Sequence, residues 1–215
     1  MSVSERGTER RSGEQSRAML LAAARQLFRE RGFGSTGTRD IASAAGVPEK
    51  LIFRHYGGKA ELFDAAARAQ IDEFIDAFFE SWATRRAGTY SLDGLTREFI
   101  AAFLDFAESN RQILIALINL HGTGSAAPVS AAMSPFVGLF TKMEELASTE
   151  AARHGLRTDR AGRDVRFTFG TVVSAVLLSD VLYSESYPRP PREILVDQLS
   201  DYVLSGTLPE RVADS

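Results

Sequence analysis

The chain has 215 residues, of which 44% are hydrophobic, so it is long enough and apolar enough to bury a core. It contains no cysteine, which excludes disulfides, thiolate metal sites and a cysteine nucleophile. The net charge of −3 conceals an asymmetry, because residues 1–60 hold 11 Lys+Arg against 6 Asp+Glu and the remainder holds 14 against 22. A basic first quarter places any polyanion contact in the N-terminal region, although ordinary scatter of charge remains an alternative.

The first twelve residues are polar and charged and predict a flexible, solvated arm. They lack the apolar run of a signal peptide, and no uncharged stretch is long enough to span a bilayer. We therefore expect no membrane association and a cytoplasmic protein.

Three helices are predicted in the next segment. Apolar residues recur at helical spacing from Gly13 to Arg31, and Gly32 ends that helix. A second helix at 39–45 has two candidate caps, Thr36 and Thr38, and ends at Gly46. A third short helix begins around Pro48, which fits a first helical turn, and runs to residue 56.

The remaining chain is also predicted to be helical. A long helix is expected at 59–85, followed by helices at about 92–108, 110–120, 130–154, 159–186 and 191–205. No strand alternation and no internal repeat are evident. The sequence therefore predicts an all-α chain of about nine helices.

Two short helices joined by a tight turn and packed on a third form a helix-turn-helix unit, whose protruding helix fits a DNA major groove. Lys50, Arg54, His55 and Lys59 follow this turn, and lysine and arginine reach phosphates and guanine edges. A tight turn in an ordinary helical bundle is the alternative interpretation.

Residues 33–63 read FGSTGTRDIASAAGVPEKLIFRHYGGKAELF. This run resembles the N-terminal domain of the TetR family of transcriptional regulators. The family pattern is matched at Thr36, Asp40–Ala42, Ala45–Val47, Phe53–Tyr56 and Lys59–Leu62. The resemblance covers residues 14–63 in detail, and beyond them only length and helix number agree.

Three positions depart from the family pattern. Pro48 stands where the family often has serine, Lys50 replaces a common glycine, and Phe53 replaces the usual tyrosine. Because Phe53 lacks a phenol hydroxyl, we do not count it among the phosphate ligands. Lys50 adds a charge that can read a base.

The resemblance implies a DNA-binding domain at 13–58 and a ligand-binding and dimerisation domain at 59–215. By the same resemblance Thr36 and Thr38 lie near a phosphate, and His55 and Lys59 occupy backbone-contact positions. Glu49 is the doubtful member of the set, because a carboxylate near phosphates is repelled unless it accepts from a cytosine N4; a solvated carboxylate is the favoured reading. The predicted DNA-binding residues are Thr36, Thr38, Arg39, Pro48, Glu49, Lys50, Leu51, Arg54, His55 and Lys59.

The C-terminal domain is expected to pair two copies and to sense a ligand. The helices at about 159–186 and 191–205 are the predicted homodimer interface, with packing inside one monomer as the alternative. A lipophilic effector is expected in an apolar cavity, although an aromatic stripe also fits a solid core. The candidate ligand-binding residues are Phe78, Trp82, Phe103, Phe106, Asn119, Phe140, Met143, Phe169 and Val173.

The sequence therefore predicts a dimeric, ligand-responsive repressor that binds a palindromic DNA operator. An enzyme is disfavoured, because the three histidines are scattered and no nucleophile, phosphate-loop or dinucleotide motif is present. We expect no cofactor and no metal. A protein-binding adaptor with a vestigial helix-turn-helix is the other alternative.

Overall fold

The structure is a computed structural model that describes the backbone of residues 3–85, 91–122, 129–155 and 157–207 and the side chains of 12–82, 91–119, 136–155 and 157–206. These residues form ten helices and no strand beyond one isolated bridge between Ser184 and Tyr187. The helices are α1 (Val3–Arg31), α2 (Thr38–Ala45), α3 (Lys50–Tyr56), α4 (Lys59–Arg85), α5 (Leu92–Ser109), α6 (Arg111–Gly122), α7 (Val129–Arg153), α8 (Ala161–Leu177), α9 (Ser179–Leu182) and α10 (Arg192–Thr207). The predicted all-α class is confirmed.

The chain divides into two compact units. The first comprises Met1–Asp72 with Gln112–Pro135, and the second comprises Glu73–Arg111 with Phe136–Ser215. The first unit thus takes in the start of α4 and most of α6 as well as the predicted 13–58 segment. Among the described helices, none has an apolar stretch of the length that crossing a membrane requires.

Helix α1 differs from expectation at its start. It begins at Val3, well before the predicted start at Gly13, so part of the expected arm is helical. Its first residues include Glu and Arg, which are good helix formers and can extend a helix that is already nucleated.

A cluster of three aromatic rings organises the first unit. The ring of Phe28 lies 5.1 Å from that of Phe63 and 6.0 Å from that of Phe33. The rings of Phe33 and Phe63 are 5.0 Å apart. Phe28 and Phe63 are fully buried, so this cluster joins the end of α1 to the start of α4.

A left-handed glycine makes the turn between α2 and α3. Gly46 has a φ of 66°, and the N–H of Val47 donates to the carbonyl of Ala42 at 3.1 Å. The Gly46 N–H also bonds to the carbonyl of Ser43, which completes a Schellman motif. This motif fixes the direction in which the chain enters α3.

Replacing Gly46 with alanine is expected to destabilise the first unit by about 1–2 kcal/mol, because an L-residue is strained in the left-handed region. A Cβ at Gly46 has no heavy atom within 4 Å, so backbone strain is the whole cost. Gly138 is a matched control, since it lies within α7 with equally open space around its Cβ. Gly138→Ala should be neutral or slightly stabilising in the same urea titration. Equal effects of the two changes would contradict this account.

Helices α4, α5, α7 and α8 contribute phenylalanine rings to the core of the second unit. The ring of Phe103 is 4.9 Å from that of Phe169 and 5.7 Å from those of Phe99 and Phe74. Phe169 also meets Phe140, at 5.1 Å. These rings pack against one another and form an aromatic cluster in the core of the second unit.

The predicted 159–186 helix is interrupted at Leu178, between α8 and α9. The Arg111 guanidinium donates to the carbonyl of Leu177 at 3.3 Å and to the Asp180 carboxylate at 3.1 Å. A terminal carbonyl of α8 is therefore satisfied by a side chain, so the helix can end there. This contact joins residues far apart in sequence, which explains why periodicity alone predicted a continuous helix.

Arginine–carboxylate pairs attach α10 and the segment before it to α5. Arg97 on α5 contacts Asp197, and it contacts Asp201 at 2.9 Å. Arg192 forms a bidentate pair with Asp105, at 2.8 and 2.6 Å. These pairs lie at the surface, around the buried Leu195 and Leu199 of α10.

Candidate nucleic-acid interface

Helix α3 is held to the first unit by its inner side. Ile52 is fully buried, and the Tyr56 hydroxyl donates to the backbone carbonyl of Arg17 at 2.8 Å. The Arg17 guanidinium lies 5.4 Å from the centre of the Tyr56 ring. Burial raises the pKa of Tyr56 above its ordinary value, although Arg17 opposes this, so the hydroxyl remains a donor at neutral pH.

The outer side of α3 is exposed. Lys50, Phe53 and Arg54 point to solvent, and Phe53 is 55% exposed. A seven-residue helix with two cations and an aromatic ring on its free face has the size and chemistry to enter a major groove. Phe53 thus lies on the exposed side, although its missing hydroxyl excluded it from the predicted phosphate ligands.

The predicted DNA-binding residues differ in exposure. Pro48, Lys50, Arg54 and Arg39 are exposed. Five others are half-buried, namely Thr38, Glu49, Leu51, His55 and Lys59. Only Thr36 is fully buried.

Thr36 is not on this surface, which corrects the prediction. Its side chain is 0% exposed, and its hydroxyl donates to the carbonyl of Gly32 at 2.8 Å. It also lies 3.3 Å from the carbonyl of Leu27, so it satisfies the C-terminal end of α1. The hydroxyl is therefore occupied inside the fold and is not available to a phosphate.

The cap of α2 is neither predicted threonine. Gly37 occupies the N-cap position, and its backbone N–H donates to the Asp40 carboxylate at 3.0 Å. Asp40 thus satisfies a backbone donor and places a negative charge at the positive end of the helix dipole. Thr38 is the first residue of the helix, with its side chain free to bond elsewhere.

His55 and Lys59 are more enclosed than the prediction assumed. The buried Nε2 of His55 meets no donor or acceptor among the described side chains. His55 lies beside Gly13 of α1, where a Cβ at residue 13 would stand 3.9 Å from its ring. The Lys59 ammonium lies 4.3 Å from the centre of the Phe33 ring, in a cation–π contact.

Thr38, Arg39 and Glu49 form a small polar cluster where α2 meets the turn before α3. The Thr38 hydroxyl donates to one Glu49 carboxylate oxygen at 2.6 Å. The Arg39 Nε lies 3.4 Å from the other oxygen. Glu49 is therefore engaged within the protein, which corrects the favoured reading of a freely solvated carboxylate.

Most predicted effector residues pack against neighbouring side chains, which agrees with the solid core that the sequence left open as an alternative. Phe103 is 0% exposed, and Phe78, Trp82 and Met143 are also buried. Phe106, Phe140, Phe169 and Val173 are half-buried, and Asn119 is exposed within the first unit. The rings of Phe106 and Phe169 stack on that of Phe103, and the ring of Phe140 meets that of Phe169 edge to face.

A cavity is present elsewhere in the second unit, among α5, α7, α8 and α10. Its volume is about 120 Å³, below the 300–1,000 Å³ usual for sites that enclose a drug-sized ligand. Met143 is the one predicted effector residue in its lining. The other lining residues are Leu92, Leu95, Thr96, Phe99, Leu146, Ala147, Ala151, Arg157, Ala161, Asp164, Val165, Thr168, Val203 and Leu204. We call this space the α5–α10 cavity.

Residues 20–66 match the family model described as bacterial regulatory proteins, tetR family. Among curated relatives, the chain is 29% identical over 99 residues to the HTH-type transcriptional activator FasR of Mycolicibacterium smegmatis, covering 46% of this chain and 43% of that protein. It is 33% identical over 79 residues to the HTH-type transcriptional repressor KstR2 of Rhodococcus jostii, covering 37% of this chain and 39% of that protein. The chain thus spans less than half the length of these two relatives.

Solved structures share the fold over most of the chain. A tetR-family transcriptional regulator from Streptomyces coelicolor aligns with a TM-score of 0.65 at 22% identity, covering 89% of this chain and 80% of that one. A transcriptional regulator from Rhodococcus sp. aligns with a TM-score of 0.65 at 19% identity, covering 88% and 96%. The relatives are regulators of transcription, in agreement with the prediction that the chain is not an enzyme. The helix-turn-helix lies inside the matched segment, so the similarity to the tetR family of bacterial regulatory proteins falls on the candidate nucleic-acid interface.

Proposed function

We propose that the protein is a dimeric DNA-binding transcriptional regulator, a repressor that a lipophilic small molecule releases from a palindromic operator. The observation that carries this proposal is the exposed basic side of α3 inside the segment that matches the family model. The curated relatives include an activator and a repressor, so the direction of control is part of the proposal. The protein would act in the cytoplasm, where its DNA is.

In the proposed complex α3 enters the major groove. Lys50 and Arg54 contact base edges, and Phe53 and Leu51 supply apolar contact to a thymine methyl or to the sugars. Arg39 and Thr38 contact a phosphate at the start of α2, and Pro48, Glu49 and Lys59 border the same surface. Thr36 is left out because it is buried.

The second unit supports a homodimer through its exposed apolar surface. Phe167 is 66% exposed on α8, and further large apolar side chains are exposed on the segments that follow, namely Leu178, Val181, Leu182, Tyr187, Ile194 and Tyr202. Such a concentration is unusual on a soluble monomer. Gly170 and Ser174 follow Phe167 at helical spacing on α8, and these small residues allow close approach of a second helix. A two-fold pair would present its two α3 helices to half-sites about 34–36 Å apart.

The α5–α10 cavity supports the proposed effector site. Its lining is mainly aliphatic and aromatic, so it suits an apolar ligand or the apolar part of a larger one. Because the cavity is small, such a ligand must enlarge it and displace the surrounding helices. Helix α4 is one covalent path for this change, since one of the boundaries between the units falls within it. The expected coupling to DNA binding is about 1–3 kcal/mol.

Replacing Arg54 with alanine is expected to weaken operator binding by about 1–3 kcal/mol, because a guanidinium that contacts a guanine is lost. The measurement is fluorescence anisotropy with the duplex that the protein selects from a random pool, repeated over a range of salt concentrations. Arg160→Ala removes an equally exposed arginine of the second unit and should leave binding unchanged. Equal losses on selected and random duplexes would mark Arg54 as a phosphate ligand.

The same titration tests the function as a whole. Binding that weakens steeply as salt rises is expected, because phosphate contacts release counterions. An effector found by ligand screening should lower operator affinity when it saturates the protein. Absence of any duplex binding at low salt would favour the protein-binding adaptor instead.

A further inference from the structure

Glu49 lies within the surface proposed to meet DNA, although its charge repels phosphate. It precedes α3 and is half-buried, and both of its carboxylate oxygens are engaged. One oxygen accepts from the Thr38 hydroxyl at 2.6 Å, and the other lies 3.4 Å from the Arg39 Nε. Arg39 itself is 90% exposed, so its guanidinium is open to a second partner.

The groups that hold Glu49 are those that bind a DNA phosphate. A hydroxyl on the first residue of a helix, an adjacent guanidinium and the positive end of the helix dipole together suit an anion with two acceptor oxygens. The Glu49 carboxylate has that charge and offers that pair of oxygens. Its two oxygens contact Thr38 and Arg39 in the first turn of α2, and two oxygens of a phosphate would make the same contacts.

We propose that Glu49 is an internal competitor of the DNA phosphate, which holds Thr38 and Arg39 in the free protein and must turn away before they bind the backbone. This inference rests on the proposed DNA-binding function. Because every duplex presents the same phosphates, the competition lowers affinity for all sequences by one factor. Its effect is to reduce binding to bulk chromosomal DNA without changing which sequence is preferred.

Two other roles for Glu49 make different predictions. A carboxylate that accepts from a cytosine N4 contributes only at the selected sequence. A carboxylate that merely braces α2 against the turn stabilises the fold and supports binding. Of these three roles, only the competitor role predicts that removing the charge strengthens binding to every duplex.

The test is Glu49→Gln, which keeps the side-chain shape and an acceptor for Thr38. The probes are a random-sequence duplex and the duplex that the protein selects from a random pool. Both affinities should rise together by about three- to tenfold, the scale of one unit charge a few ångströms from a phosphate at a wet interface. The midpoint of thermal unfolding should stay unchanged. Glu145→Gln makes the same charge change at an exposed position of α7 and should alter neither affinity.

Repeating Glu49→Gln in a double variant separates competition for Thr38 and Arg39 from the general repulsion between a carboxylate and DNA. In a Thr38→Val, Arg39→Ala protein, Glu49 no longer holds either of the two phosphate ligands. The increase in duplex affinity caused by Glu49→Gln should therefore fall by at least half. A full gain in that background overturns the proposal. So does a loss on both duplexes or a loss on the selected duplex alone. If the wild-type protein binds neither duplex, the proposed function itself fails.

Discussion

Phe103→Ala is expected to lower the free energy of unfolding by about 3–5 kcal/mol, one of the largest effects that a single substitution can have in this chain. Phe103 is fully buried, and its ring lies within 6.1 Å, centroid to centroid, of four other phenylalanine rings. Truncation removes these contacts and leaves a cavity that rigid neighbouring rings cannot fill. Urea titration followed by tryptophan fluorescence measures the loss, since the single tryptophan, Trp82, lies buried in the same unit.

Phe103→Leu is the control, because it keeps most of the apolar volume and should cost substantially less than the alanine change. The loss of unfolding free energy measured for Phe103→Ala also decides whether Phe103 lies in a solid core or lines the effector pocket that the sequence suggested. Residues around an open pocket have fewer contacts to lose, so their truncation costs less. A loss below about 1 kcal/mol for Phe103→Ala would contradict the solid core.

Phe167→Asp is expected to convert the proposed dimer to monomers at micromolar concentration. Phe167 is 66% exposed on α8 in the single chain, so the change should not disturb the core of the protomer. In a two-fold interface each copy would bury an unpaired carboxylate, at a cost of about 3–5 kcal/mol each. Sedimentation velocity over a concentration series measures the shift, and circular dichroism checks that the fold is intact.

Phe53→Asp supplies the matched control for the dimer experiment. Phe53 is similarly exposed, at 55%, but lies on α3 in the first unit. This change should weaken DNA binding and leave the sedimentation coefficient of the dimer unaltered. A wild-type chain that sediments as a monomer at all concentrations would contradict the interface on α8, α9 and α10.

The helix-turn-helix could be predicted from sequence because its signals are local. Gly46 and Pro48 set the turn, and the spacing of apolar residues fixed which side of α3 is exposed. Thr36 was placed near a phosphate by the resemblance, together with Thr38. Its hydroxyl instead meets the carbonyls of Leu27 and Gly32, which only the folded chain brings near.

The second unit was harder to predict because its decisive contacts join distant segments. Periodicity identified the phenylalanine sides of the helices, but it cannot say whether another ring or a space lies opposite. The α5–α10 cavity combines residues from Leu92 to Leu204, so no local pattern reports it. The break at Leu178 likewise depends on Arg111.

The division of α3 into a fixed side and a free side has a consequence for how binding preference can change. Ile52 and Tyr56 attach the helix, whereas Lys50, Phe53 and Arg54 make up its exposed side. Substitutions at exposed helix positions usually change stability by less than about 0.5 kcal/mol. A new operator preference can therefore be acquired, by natural divergence or by directed selection, without first finding compensating changes in the core.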